Sequence, residues 1–227
     1  MILLKIVIFA PHPDDEIFGA GGSILKWISE GNEIYIIWLT DGRAGYRKPR
    51  ILGELEDCEE TRLTEEQLAK KRISEADKTA EFLGIKKRNR HFLKFHDQEL
   101  KNHINEAVEK LKLVINKADR FVIPSNNNGH PDHQATYEIA VRLAEQLNLS
   151  RLEFFVYAVH TPLKAEGSHL IKVKVGNLRF KAFEALKHHE SQFFTKDLEW
   201  QSLWVKEKRR DRFGYFCLTD KGKFFNF

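Results

Sequence analysis

A chain of 227 residues with 42% hydrophobic, 31% charged and 11% aromatic side chains is long enough to bury one substantial core, which excludes disordered and collagen-like classes. Its 37 basic residues are offset by 33 acidic ones, and a net charge of +4 without a recognised nucleic-acid module argues against nucleic acid as a partner. Cys58 and Cys217 are too few for a disulfide framework, no apolar run reaches membrane-spanning length and no leader pattern opens the chain, so a cytoplasmic home is expected.

Ile2–Ala10 is a nearly unbroken β-branched and aliphatic run, the pattern of a strand buried on both faces of a parallel sheet. Pro11 and Pro13 cannot continue a ladder, so His12, Asp14, Asp15 and Glu16 fall just past the strand's carboxyl end, where open α/β sheets hold ligands. Three acids beside a histidine repel one another unless a cation neutralises them; the competing reading is an acidic cap on the next helix. Ser23–Glu30 has helical spacing, stopped by Gly31 and Asn32, and Glu33–Leu39 is a second buried strand. The intervening Gly19-Ala20-Gly21-Gly22 lacks the full dinucleotide fingerprint, and acids beside it would repel a pyrophosphate. Beyond Thr40-Asp41-Gly42 the polar segment from Arg43 to Glu60 reads either as a lid, whose basic residues attract an anionic substrate group, or as a solvated insertion.

Thr64–Leu83 is a long helix opened by a Thr64/Gln67 capping pair and ended by Gly84. Asn89–Phe95 is a third strand with Asp97 just past it, Asn102–Lys117 an amphipathic helix, and Arg120–Ile123 a short strand terminated by Pro124. His130-Pro131-Asp132-His133 then repeats the earlier arrangement, between a strand end and a helix running to Leu147. Alone, this is a pair of loop histidines with Asp132 as a cap. Two such clusters at equivalent ends of one sheet can converge, which argues for a metal, and imidazole plus carboxylate suits zinc. Glu153–Val159 is a fifth strand followed by His160, a pocket-lining or structural histidine. Ile171–Val175 is a further strand and Phe180–His189 a helix; His188, His189 and Glu190 offer a second metal site only if neighbouring helical positions face one way, which they do not. The charge cluster Lys206–Arg212 reads as a solvated face. The architecture expected is a Rossmann-like, doubly wound α/β domain with a mostly parallel sheet over residues 1–227, its core at about 3–195 and a small C-terminal β/α appendage at about 196–227.

Pro11-His12-Pro13-Asp14-Asp15-Glu16, Thr40-Asp41-Gly42, Arg72-x-x-Glu75, the Leu93 to Leu100 segment with Asp97, His130-Pro131-Asp132-His133 and His189-x-Ser191-Gln192 occur in the order seen in the LmbE-like, or PIG-L, deacetylases. From about residue 3 to about residue 195 the chain resembles that family. The resemblance implies zinc-dependent removal of an N-acetyl group from an N-acetylglucosamine-type sugar or glycoconjugate, with one Zn2+ per chain and another divalent metal compatible. It implies His12, Asp15 and His133 as metal ligands, Asp14 as general base, His130 as the group that polarises the carbonyl or protonates the amine, and Asp132 as the carboxylate orienting His130. Glu16 matches a motif position without a ligand role. Arg43 stands where relatives carry an acid and is the candidate substrate contact. Competing readings are an amidase acting on sugar-linked thiol conjugates and a non-catalytic carbohydrate- or metal-binding module; retention of Asp14 and His130 argues against the latter. Homo-oligomerisation is compatible with the sequence.

Overall fold

The structure is a computed structural model that describes residues 3–149, 151–159, 161–195, 203–218 and 227. Strands β1 (Lys5–Ala10), β2 (Glu33–Thr40), β3 (Arg90–Phe95), β4 (Arg120–Pro124), β5 (Glu153–Tyr157), β6 (Leu170–Lys174) and β7 (Arg210–Cys217) form one sheet in the order β3-β2-β1-β4-β5-β7-β6. The first five are mutually parallel, and β7 runs against both β5 and β6. Between and beyond them lie helices α1 (Asp15–Ser29), α2 (Arg47–Leu52), α3 (Glu65–Phe82), α4 (Ile104–Lys112), α5 (Pro131–Gln146) and α6 (Leu178–Leu186).

Alternation along β1 builds two cores. Ile6, Ile8 and Ala10 face α1, α3 and α6, packing with Ile24, Ala76, Ala80 and Leu186, whereas Val7 and Phe9 face α4 and α5, packing with Val108, Leu111, Ile139 and Leu143. Covering both faces explains why β1 and β2 read as continuous apolar runs. The strand order reverses at β1 and β4: the chain moves outward from β1 to β3 and returns to start β4 on the other side of β1. That topological switch opens a crevice at the carboxyl ends of β1 and β4, where the two His/Asp motifs are found.

Several expected boundaries move. Helix α1 begins at Asp15 rather than Ser23 and runs straight through the glycines. Those glycines serve close packing: a methyl group at Gly19 would overlap the ring of Tyr157, which crosses from β5 to give its hydroxyl to Phe9 O at 2.8 Å. Helix α4 stops at Lys112 instead of Lys117, and β5 at Tyr157 instead of Val159. The capping box of α3 is formed as read, with Gln67 N donating to Thr64 Oγ1 and Thr64 N to Gln67 Oε1. The C-terminal stretch lends its strand to the interior of the sheet, between β5 and β6, instead of standing beside it. Nor is its charge cluster wholly solvated: Asp211 is fully buried, accepts from Ser23 N and Oγ on α1, and pairs with Lys208 at 2.9 Å. His160 and residues 196–202 and 219–226 of the expected appendage lie outside the described residues. Among the described residues no helix is long and apolar enough to cross a membrane.

Candidate metal and catalytic site

The strand ends are stitched together before any functional side chain is placed. Pro11 O, at the exit of β1, accepts from Thr40 N and Oγ1 at the exit of β2, and Asp41 N donates to Phe95 O at the exit of β3. Helices α1 and α5 follow β1 and β4 after short loops, and the carboxylates of Asp15 and Asp132 lie in their first turns, where the helix dipole favours negative charge.

His12 is 8% exposed and presents two different nitrogens to two different groups. Its Nδ1 lies 3.0 Å from Asp15 Oδ2, and the same oxygen lies 3.4 Å from His133 Nε2. Its Nε2 faces Asp97 Oδ1 at 3.2 Å and Asp132 Oδ2 at 3.3 Å. Both His12–Asp15–His133 and His12–Asp97–His130–Asp132 are groups whose ligand atoms lie within 4.8 Å of one another. Tetrahedral zinc with N and O donors at about 2.0–2.1 Å separates its ligands by about 3.3 Å, so the first trio has suitable spacing and a suitable donor set. In the second group the members beyond His12 are engaged with backbone N–H groups: Asp132 with Gln98 N and Leu100 N, Asp97 with Ala44 N, and His130 Nδ1 with Asp132 N.

Those bonds revise one expectation. The Asp132 carboxylate reaches His12, and only its backbone N–H meets His130. Capping through Nδ1 requires that nitrogen to be unprotonated, so the neutral His130 ring carries its proton on Nε2. Burial, followed by the charge of nearby His12, lowers the His130 pKa, which also disfavours an imidazolium there. Burial pushes the Asp97 carboxyl up, but the charge and hydrogen bond of His12, with Arg72 behind them, hold it well below the usual carboxylate range.

Asp14 occupies a conformation that few non-glycine residues adopt, φ 123° and ψ −29°. Such backbone costs on the order of 1–3 kcal/mol and clusters at functional sites. Its carboxyl is raised to about 7 by burial, against the pull of Arg72, with Asp15 adding to the rise. The buried Arg72 guanidinium donates to Asp14 Oδ2 at 3.0 Å, Pro13 O at 2.8 Å and Gly42 O at 2.8 Å. Gly42 is required there twice over, by φ 68° and because a Cβ would lie 2.7 Å from Arg72 Nη1. One turn on, Glu75 accepts from Ser191 N and Oγ at 2.9 and 2.6 Å. Arg72 and Glu75 thus connect three of the motif segments.

Sequence reasoning gave no role to Arg72, Glu75, Asp97, Asn128 or Ser191. A signal for the first two was present: both fall on the inward stripe of α3 with Leu68, Ala76 and Ala80, where a charge is out of place unless it is paired. Asn128 bridges Val159 O, His130 N and the Nδ1 side of His133, bonds whose partners are distant or local in ways that spacing does not reveal. Arg43 stands outside both His/Asp groups; its guanidinium is paired with Asp41 at 2.7 Å and with Glu66 at 3.6 Å. The segment beyond it is anchored by the buried Tyr46, whose hydroxyl donates to Ser191 O at 2.5 Å, and by a bridge between Leu55 and Thr195. His188 and His189 have different surroundings: the first lies tilted beside the Phe82 ring, and the second is buried facing Glu16.

Comparison with known proteins places the chain among deacetylase relatives. The profile of the PIG-L family, described as GlcNAc-PI de-N-acetylase, matches residues 7–144. A diacetylchitobiose deacetylase of Thermococcus kodakarensis is 28% identical over 202 residues, 83% of this chain and 70% of the relative. A probable N-acetyl-alpha-D-glucosaminyl L-malate deacetylase 2 of Bacillus anthracis is 30% identical over 237 aligned positions, covering 96% of this chain and 97% of the relative. The solved structure of N,N'-diacetylchitobiose deacetylase from Pyrococcus horikoshii superposes with a TM-score of 0.69 at 23% identity, over 95% of this chain and 84% of that one.

Proposed function

The chain belongs to the PIG-L family, and from that premise we propose that it is a zinc-dependent hydrolase removing the N-acetyl group from an N-acetylglucosamine-type amino sugar. The observation that carries the reading is the convergence of His12, Asp15 and His133 beside the buried, strained Asp14. The substrate class is supported by the named relatives, whose diacetylchitobiose and N-acetylglucosaminyl malate share that sugar.

His12 Nδ1, Asp15 Oδ2 and His133 Nε2 are the donors that would hold the ion, three protein ligands being the number typical of a catalytic site. When bound, zinc supplies Lewis acidity, which acidifies water and polarises an amide carbonyl. Asp132 accepts from His12 Nε2–H, with the Asp97 carboxylate 3.2 Å from the same nitrogen, and so keeps Nδ1 available, the outer-shell arrangement common around metal-bound imidazole. Asp14, with its carboxyl near 7, is matched to taking a proton from water at neutral pH while Arg72 holds Oδ2. His130 Nε2–H donates to the oxyanion that develops on the substrate carbonyl. The proton collected by Asp14 is then returned to the departing amine nitrogen, which balances hydrolysis of the amide. Arg43, already engaged by Asp41 and Glu66, shapes the loop after β2 rather than offering a free guanidinium.

Acetate release from N,N'-diacetylchitobiose and from N-acetylglucosaminyl malate, with metal analysis of the same samples, tests the assignment. Asp14→Asn is expected to retain metal and lose turnover by about 10²–10⁴-fold, the range for removing a general base. His133→Ala is expected to lose the metal. A metal-free Asp14→Asn, or a His133→Ala that keeps both metal and activity, contradicts these roles.

A further inference from the structure

Glu16 is an oddity that the proposed chemistry leaves unused. It is fully buried on the first turn of α1, next to two other buried acids, although such a position favours either an apolar side chain or a solvated carboxylate. Both hydrogen bonds to its side chain converge on one oxygen: Oε2 accepts from Trp38 Nε1 at 3.0 Å and from Asp14 N at 3.2 Å. The other oxygen, Oε1, has no hydrogen bond and lies 3.8 Å from Nε2 of His189, which is also fully buried. Trp38 is itself immobilised, with no exposure and a parallel stack on Phe92 at 4.4 Å between centroids.

We propose that Glu16 is a positioning residue, whose carboxylate clamps the Asp14 backbone N–H against β2 and thereby holds Asp14 in the φ 123° conformation that aims its side chain at Arg72. The proposal rests on the reading of Asp14 as general base. Asp14 is gripped from two directions, its N–H by Glu16 and its carboxylate by Arg72. The two grips are tied together because His189, facing Glu16, lies two residues before Ser191, which is bound to Glu75 on the helix that carries Arg72. Without an acceptor at position 16 the Asp14 peptide relaxes toward an allowed φ and its carboxylate leaves the reactive position.

Two substitutions of similar volume separate hydrogen bonding from space filling. Glu16→Gln keeps an oxygen for both N–H groups; Glu16→Met fills the same space with no oxygen acceptor. Each is assayed with N,N'-diacetylchitobiose and N-acetylglucosaminyl malate, alongside thermal unfolding and metal analysis. Glu16→Met is expected to lower kcat by about 100-fold, as a misplacement of about 1 Å does, with KM within about threefold of the parent and metal retained. Glu16→Gln is expected to stay within about tenfold of the parent, and Asp14→Asn/Glu16→Met to be no more than about threefold slower than Asp14→Asn alone, because both changes remove one function. Parental kcat in Glu16→Met, metal loss in that variant, equal damage from Gln and Met, or multiplicative losses in the double variant would each overturn the proposal. Should Glu16→Met fail to fold, a folded Glu16→Gln more than about tenfold slow is sufficient to overturn it. An inactive Asp14→Asn beside a fully active Glu16→Met defeats the positioning role alone, whereas a fully active Asp14→Asn defeats the base assignment beneath it.

Discussion

His12 is the residue through which protons and metal compete. Burial pulls its pKa down, but the charge of Asp97 and hydrogen bonds with Asp132, Asp15 and Asp97 carry it well above 6.5. A group whose folded pKa is raised contributes stability that is fully present below its unfolded value and is lost as pH rises through the folded one. Protonated His12 therefore stabilises the metal-free protein below about pH 6.5, and this contribution disappears above its raised pKa. Ligation needs Nδ1 without its proton, so metal binding must expel one. Affinity is expected to climb about tenfold per pH unit for as long as His12 is protonated in the metal-free protein. Chelator-competition titrations across the neutral range check this, and an affinity independent of pH would show that His12 is not a ligand.

At the scale of elements, the segment after β2 carries the open question of lid or insertion. It is pinned at one end by Tyr46 on Ser191, and at the other by Leu55 on Thr195 and Glu56 N on Phe194 O. Between these anchors α2 exposes Ile51 and Leu52, while Arg47 pairs with Glu65 and donates to Gln98 Oε1, next to the backbone N–H that caps Asp132. Of the segment's basic residues Arg43, Arg47, Lys48 and Arg50, expected to attract an anionic substrate, the first two are thus neutralised by neighbouring acids. Replacing residues 47–54 with a short Gly/Ser linker, keeping both anchors, is expected to preserve metal content and kcat and to raise KM severalfold. Steady-state kinetics on N,N'-diacetylchitobiose decide the matter; unchanged KM identifies the segment as a solvated insertion.

Across the whole molecule the candidate site is a junction. Its proposed metal ligands come from the loop after β1 and from the first turns of α1 and α5, its outer carboxylates from beyond β3 and from α5, and its supporting arginine from α3. An ion held by His12, Asp15 and His133 joins the two halves of the sheet on either side of the switch point, and a ligand that binds only the folded chain stabilises it. At about 100 times its dissociation constant such an ion adds about 2.7 kcal/mol. For a chain of this size that amounts to a rise in Tm of about 5–10 °C. Calorimetry with and without zinc measures it, and an equal rise in His133→Ala would place the ion elsewhere.

The sequence by itself determined what depends on neighbours along the chain. The apolar runs of β1 and β2, the Thr64/Gln67 cap and the location of His12–Glu16 and His130–His133 beyond strand ends all follow from local pattern, and the structure has each of them. Tertiary structure decided what depends on residues far apart. Helix α1 carries glycine at position 19 because Tyr157, 138 positions away, fills the space a side chain would take. Asp97 and Asp132 meet His12 because β3, β1 and β4 end at the same edge, a consequence of strand order that no motif spacing encodes. Strand β7 enters the sheet between β5 and β6 because pairing with both satisfies its backbone while Asp211 is buried against α1. Local propensity acts over a few residues, whereas the partners of a buried polar group are chosen by whichever elements the packed sheet brings beside it.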